Sequence, residues 1–130
     1  MNTADIIDHF YAALAARDLD MLRELLSPEI IVTYHGQPDH FPWAGQFSGL
    51  GGFDEFVGSL AEHLEIASAE RSEPIVDGDR AVVLTEGEWR VKANDAIVRA
   101  GMANVFTVSN GQIARYDIYV DTAAFLTNMP

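Results

Sequence analysis

The chain has 130 residues, enough for one domain that buries roughly two thirds of the surface its unfolded form exposes. Eight basic residues against 20 acidic ones give a formal net charge of -12, which argues against nucleic acid or an anionic membrane surface as partner, since either needs a basic patch. A hydrophobic content of 48% is too high for a disordered chain, and the absence of cysteine excludes disulfides, thiolate chemistry and cysteine-ligated zinc.

The first predicted element is a helix from about Thr3, read as its N-cap, to about Arg17, with Ile6, Ile7, Phe10, Tyr11 and Leu14 in one apolar stripe. This segment carries Asp5 and Asp8 where a secretion signal needs basic residues, and no apolar run in the chain approaches the roughly 20 residues of a membrane span. The expectation is a soluble, cytoplasmic protein. Asp18 can cap a second, short helix that turns Leu19, Leu22, Leu25 and Leu26 inward and stops near Pro28. "EIIVTY" then reads as a strand rich in β-branched residues.

The segment "TYHGQPDHFPWAGQFSG", Thr33 to Gly49, sets His35, Asp39, His40 and four aromatic residues among turn-forming prolines and glycines. After it, a third helix runs from about Gly51 to Leu64 with Phe53, Phe56, Val57, Leu60 and Leu64 on its apolar face. Four strands follow, at about 65–76, 80–92, 97–108 and 112–121, separated by the turns "VDGDR", "KANDA" and "VSNGQ". Asn110-Gly111 in the last of these is a strong hairpin signal. The order α-α-β-α-β-β-β-β predicts a single α+β domain over residues 1–130, with three helices on one face of a strongly curved antiparallel sheet and room for an apolar hollow between them.

In "FYAALAARDLDMLRELLSPEIIVTYHG", "PWAGQFSGLGGFDEFVGSL" and "NVFTVSNGQIARYDIYVDTAAF" the chain resembles the SnoaL-like, ketosteroid isomerase-related branch of the nuclear transport factor 2-like superfamily. The resemblance implies a cone, in which the curved sheet is one wall and a small-molecule pocket opens at the wide end. It does not fix a function, because the superfamily includes isomerases, cyclases, hydrolases, dehydratases and non-catalytic adaptors.

Carried over residue by residue, the resemblance aligns Phe10 with the oxyanion-binding tyrosine of ketosteroid isomerases, with Tyr11 next door and directed elsewhere. Tyr34 stands where those enzymes have the general-base aspartate, and Asn104 where they have a protonated aspartate donor. The aspartates and arginine of limonene-type epoxide hydrolases fall on Ile118 and near Thr85 and Gly87, which disfavours that mechanism. Asp117 and Asp121, on the strand where SnoaL-type cyclases carry an acid/base, alternate with Tyr116, Ile118 and Val120 and so face away from the pocket.

The candidate catalytic residues are therefore Tyr34 and Asn104 as donors to a ligand oxygen, with His35 or His40 as a titratable group at the pocket mouth. Each has a plainer alternative: Tyr34 as an amphipathic wall residue, Asn104 in a structural hydrogen bond, the histidines as surface or loop-capping groups. Metal binding is disfavoured, because an H-x3-D-H run in an irregular loop does not by itself bring three ligands together. Phe10, Trp43, Phe53, Phe56, Trp89, Met102, Tyr116 and Ile118 are expected to form the core and, in part, the cavity lining.

The functional expectation is a small hydrophobic ligand in the cone and no cofactor. Isomerisation, dehydration or polyketide-type cyclisation is the chemistry if the protein is an enzyme. The rival is a non-catalytic ligand-binding or dimeric scaffold. The resemblance also implies a homodimer formed through the outer sheet face, for which Gln112 to Asp121 and Glu86 to Lys92 are the candidate surface.

Overall fold

A computed structural model describes residues 1–130. Helix α1 (Thr3–Ala16) opens the chain, capped one residue earlier than the sequence predicts, because Asn2 rather than Thr3 accepts the Asp5 backbone N–H at 2.8 Å. Its apolar stripe buries Ile6, Ile7 and Phe10 completely or nearly so. Arg17 ends it in the left-handed conformation, and Asp18 caps α2 (Leu19–Leu25) through Met21 N–H.

The polypeptide then enters β1 (Leu26–His35), crosses a compact loop, and returns through the short strand β2 (Gly45–Ser48) into α3 (Gly49–His63). The remaining strands are β3 (Leu64–Arg71), β4 (Ile75–Asp77), β5 (Arg80–Val91), β6 (Ile97–Ser109) and β7 (Gln112–Val120), followed by a short helix, α4 (Thr122–Leu126).

The strands form one open, curved sheet in the order β2-β1-β7-β6-β5-β3, with β4 also pairing to β5. The fold is the predicted α+β cone, with four refinements, the first of them the short strand β2 beside β1. The sheet is mixed rather than wholly antiparallel, because β1 runs parallel to β7. The expected strand over 65–76 divides into β3 and β4, since Pro74 has no N–H to give a ladder and the Leu84 N–H turns to the Ser72 hydroxyl oxygen instead of a strand carbonyl. A fourth helix, α4, closes the wide end. The Asn110-Gly111 hairpin is as predicted: both residues have positive φ, 52° and 75°, and Ser109 pairs with Gln112.

Alternation along the long strands separates an inner from an outer surface. Tyr34, Ile118, Asn104 and Val83 form one cross-strand row on the inside, and Val32, Tyr116, Phe106 and Ala81 the next. Gly87 lies on the same inner surface and has no room for a side chain. A Cβ there would stand 2.4 Å from the ring of Trp89, which folds back along its own strand.

Candidate functional site

Two aromatic groups occupy the ends of the cone. At one, Phe10 meets Phe53, Phe106 and Tyr116 edge-on, and Phe106 stacks on Tyr116 with centroids 4.7 Å apart. At the other, Trp43 contacts Tyr34 and Phe41, Phe41 contacts Phe125, and Phe125 contacts Trp89. Phe41 and Trp43 are therefore buried plugs that seal this end of the cone, and α4 completes the seal.

Between these groups the inner wall carries a small polar centre. Asn104, 2% exposed, accepts a hydrogen bond from the Tyr116 hydroxyl on Oδ1 at 3.1 Å, and donates from Nδ2 to Thr85 Oγ1 at 3.3 Å. An amide has two N–H donors, so this arrangement fixes its orientation and leaves one N–H uncommitted. Tyr34 lies two positions along the same row, beyond Ile118. Burial raises its hydroxyl to about 12, with the nearby Trp43 indole opposing the shift. Tyr116 is pushed well above the usual phenol value, first by burial and then by the neighbouring phenols of Tyr11 and Tyr34.

Tyr11 departs from the expectation that it points elsewhere. Its hydroxyl is buried without a hydrogen-bond partner, as is Trp43 Nε1, and its ring packs on Phe10 and Phe106. Burial raises Tyr11 as well, against the lowering influence of Arg71. Tyr11 also lines a cleft of about 400 Å³ between α1 and the end of β3, together with Ala12, Ala15, Ala69, Arg71 and Val83. This cleft lies apart from the histidine loop, and no residue of that loop lines it. Here β3 is an exposed edge strand, and the three alanines leave space.

The two candidate histidines stand apart from the centre. His35 is on the outer sheet face, where Nε2 is 3.1 Å from Asp117 Oδ1 and the ring stacks on Tyr119 at 4.0 Å. The inside–outside alternation of β1 accounts for this, since Tyr34 takes the inward position. His40 is exposed in the loop. No group of three or more histidine, aspartate or glutamate side chains converges on a common point. Phe10, Phe53, Phe56, Tyr116 and Ile118 are buried around the polar centre, Met102 is half-buried beside it, and Trp43 and Trp89 lie in the plug. Thr85, Tyr11 and Arg71 join the site without having been singled out as donors. The inward pairing of Arg71 with Thr85 depends on a strand register that no local pattern specifies.

The buried residues include no aspartate, glutamate, histidine, lysine or arginine. The interior can therefore donate hydrogen bonds from an amide and phenols, but at neutral pH it has no side chain that would accept a proton.

Comparison with known proteins gives a consistent placement. The profile of the SnoaL-like domain matches residues 7–116. The chain belongs to the SnoaL-like family. No curated protein matches it. Among solved structures, a nuclear transport factor 2-like protein from Burkholderia xenovorans superposes with a TM-score of 0.87 at 23% identity, covering 99% of this chain and 97% of the other. A protein from Mesorhizobium loti, described as a proposed SnoaL-like polyketide cyclase, superposes at 0.76 with 18% identity, covering 92% and 99%. TerC, crystallised with polyporic acid, superposes at 0.78 with 22% identity, covering 93% and 92%. At these identities the likeness establishes the nuclear transport factor 2-like fold and not the chemistry. As for membranes, no helix of this SnoaL-like chain is long and apolar enough to cross one.

Proposed function

We propose that this SnoaL-like protein binds a small, mainly apolar molecule in the cone and holds one of its carbonyl or phenolic oxygens against the Asn104 amide. The ligand enters by the cleft beside Tyr11. The observation that carries this reading is the Asn104 centre itself: a nearly fully buried amide, oriented by Tyr116 and Thr85, with a donor to spare inside an apolar wall. The unpartnered hydroxyl of Tyr11 supports it, because buried donors without partners are uncommon and costly. So do the solved relatives crystallised with polyporic acid or described as a polyketide cyclase.

Where catalysis follows, it is of the isomerase, dehydratase or cyclase type. The donors stabilise an enolate-like oxygen, and the proton is taken by the ligand's own groups or by solvent. His35 and His40 have no part in it, since both lie outside the cone.

The rival reading, a non-catalytic scaffold, is favoured by one feature: Phe10 is completely buried and packs where an isomerase would hold a catalytic tyrosine. A homodimer through the outer face is also proposed. Leu84 and Tyr119, each about half exposed, would be covered in it, and a monomeric mass in solution would rule it out.

A thermal-shift screen with phenolic enolate mimics, aromatic polyketides, steroids and terpene epoxides separates the readings. Saturation at a hundredfold excess over Kd adds about 2.7 kcal/mol to stability. A shift that Asn104→Leu and Tyr34→Phe both abolish, while their circular dichroism stays native, supports the ligand site. A shift that both variants retain removes the donor roles from Asn104 and Tyr34.

A further inference from the structure

The cleft between α1 and β3 holds a cation that no carboxylate neutralises. Arg71 ends β3, paired in register with Thr85, and its guanidinium carbon lies 4.4 Å from the centroid of the Tyr11 ring. Arg23, Arg90, Arg99 and Arg115 all have a carboxylate within 4.0 Å, whereas Arg17, Arg71 and Arg80 have none; of these three only Arg71 lines the cleft and lies over an aromatic ring. Stacking on Tyr11 uses one face of the guanidinium and leaves its N–H groups free in the plane, where they match the two oxygens of a carboxylate. The neighbouring Ser72 is fully engaged, accepting from Leu84 N–H and donating to the Glu73 carbonyl, so the backbone that carries Arg71 is held in place.

We propose that the cleft between α1 and β3 reads the carboxylate of an aromatic acid. Arg71 grips the carboxylate in a bidentate pair, and the aromatic body lies in the cleft against Ala12, Ala15 and Ala69. The Tyr11 hydroxyl supplies a further donor. The proposal rests on the reading of the cone as a ligand site and gives that ligand a charge and an orientation. Asp8 and Glu73 also line the cleft, and the chain's net charge is -12. An anion is therefore held by direct contact with Arg71 and not drawn in by a positive field, which would in any case be screened beyond roughly 10 Å at 0.1 M salt.

The test is calorimetric titration of the intact protein with benzoate, 2-naphthoate and 4-biphenylcarboxylate, each against its neutral amide. A hydrogen-bonded charge pair predicts that the best acid binds the wild type roughly 10-fold or more tightly than its amide. In Arg71→Met the two should bind about equally, with the amide's affinity unchanged, and Arg71→Lys should recover only part of the preference. Arg71 is exposed, so these variants leave the core intact. Amides that bind as well as the acids, or a preference that survives Arg71→Met, overturn this inference and leave the ligand-site reading standing. Failure of all six compounds to bind at millimolar concentration also overturns this inference, and the ligand-site reading is then decided by the thermal-shift screen.

Discussion

Gly87 marks the point where the inner surface of the sheet has no space for a methyl group, since a Cβ there would meet three atoms of the Trp89 ring at 2.4 to 2.9 Å. Gly87→Ala must push the indole away or bend β5, and overpacking of this kind costs about 1–3 kcal/mol. The expected result is a lower urea midpoint with altered tryptophan fluorescence; an unchanged midpoint would mean that Trp89 has another place to go. Residue-scale features were legible where a single strand sufficed. Alternation with Met102 and Phe106 along β6 is by itself enough to place Asn104 on the inner face. Its partners, Thr85 and Tyr116, sit on two other strands, and their contact depends on registers that local pattern does not encode. Tyr11 was misplaced for a related reason. It follows Phe10 by one helical step, about 100° around α1, and only the exposed edge strand β3 turns that flank into part of a cleft.

At the scale of elements, α4 is the piece that the sequence conceals. Its five residues are too few to display a helical period, yet Phe125 is 1% exposed and joins Trp89 to Phe41 across the wide end. Phe125→Ala should cost about 3–5 kcal/mol, the range for losing a buried aromatic side chain, as read by chemical denaturation. A cost under 1 kcal/mol would show that the plug stands without α4. The strand β2, four residues long, escaped notice for the same reason of length. The β6–β7 hairpin was predictable because Asn110-Gly111 supplies two adjacent positive φ angles at low steric cost, a purely local requirement.

For the whole molecule, the three buried phenols set an alkaline limit to stability. Below about pH 10 folded and unfolded chains both keep the phenolic protons, so Tyr11, Tyr34 and Tyr116 contribute no pH dependence there. As pH rises above 10 the unfolded chain releases protons that the fold retains, Tyr34 up to about 12, and stability must fall. Absorbance at 295 nm should therefore show these three tyrosines ionising only as the fold opens, in a step coincident with loss of circular dichroism. Ionisation of more than one of the four tyrosines with the fold intact would contradict their burial, since Tyr119 alone is exposed.

The parallel pairing of β1 with β7 has a consequence for how this chain is made. Leu26 meets Ile113 and His35 meets Tyr119, so the strand laid down early in synthesis waits for nearly the last one. Until β7 leaves the ribosome, β1 has only the four residues of β2 beside it, and its other edge lies open to any passing strand. Contacts of such long range fold slowly, because the loop must close before it is rewarded. A nascent chain stalled before Gln112 would expose an unpaired apolar strand, which makes the interval before β7 is available the time when this protein is most prone to aggregate.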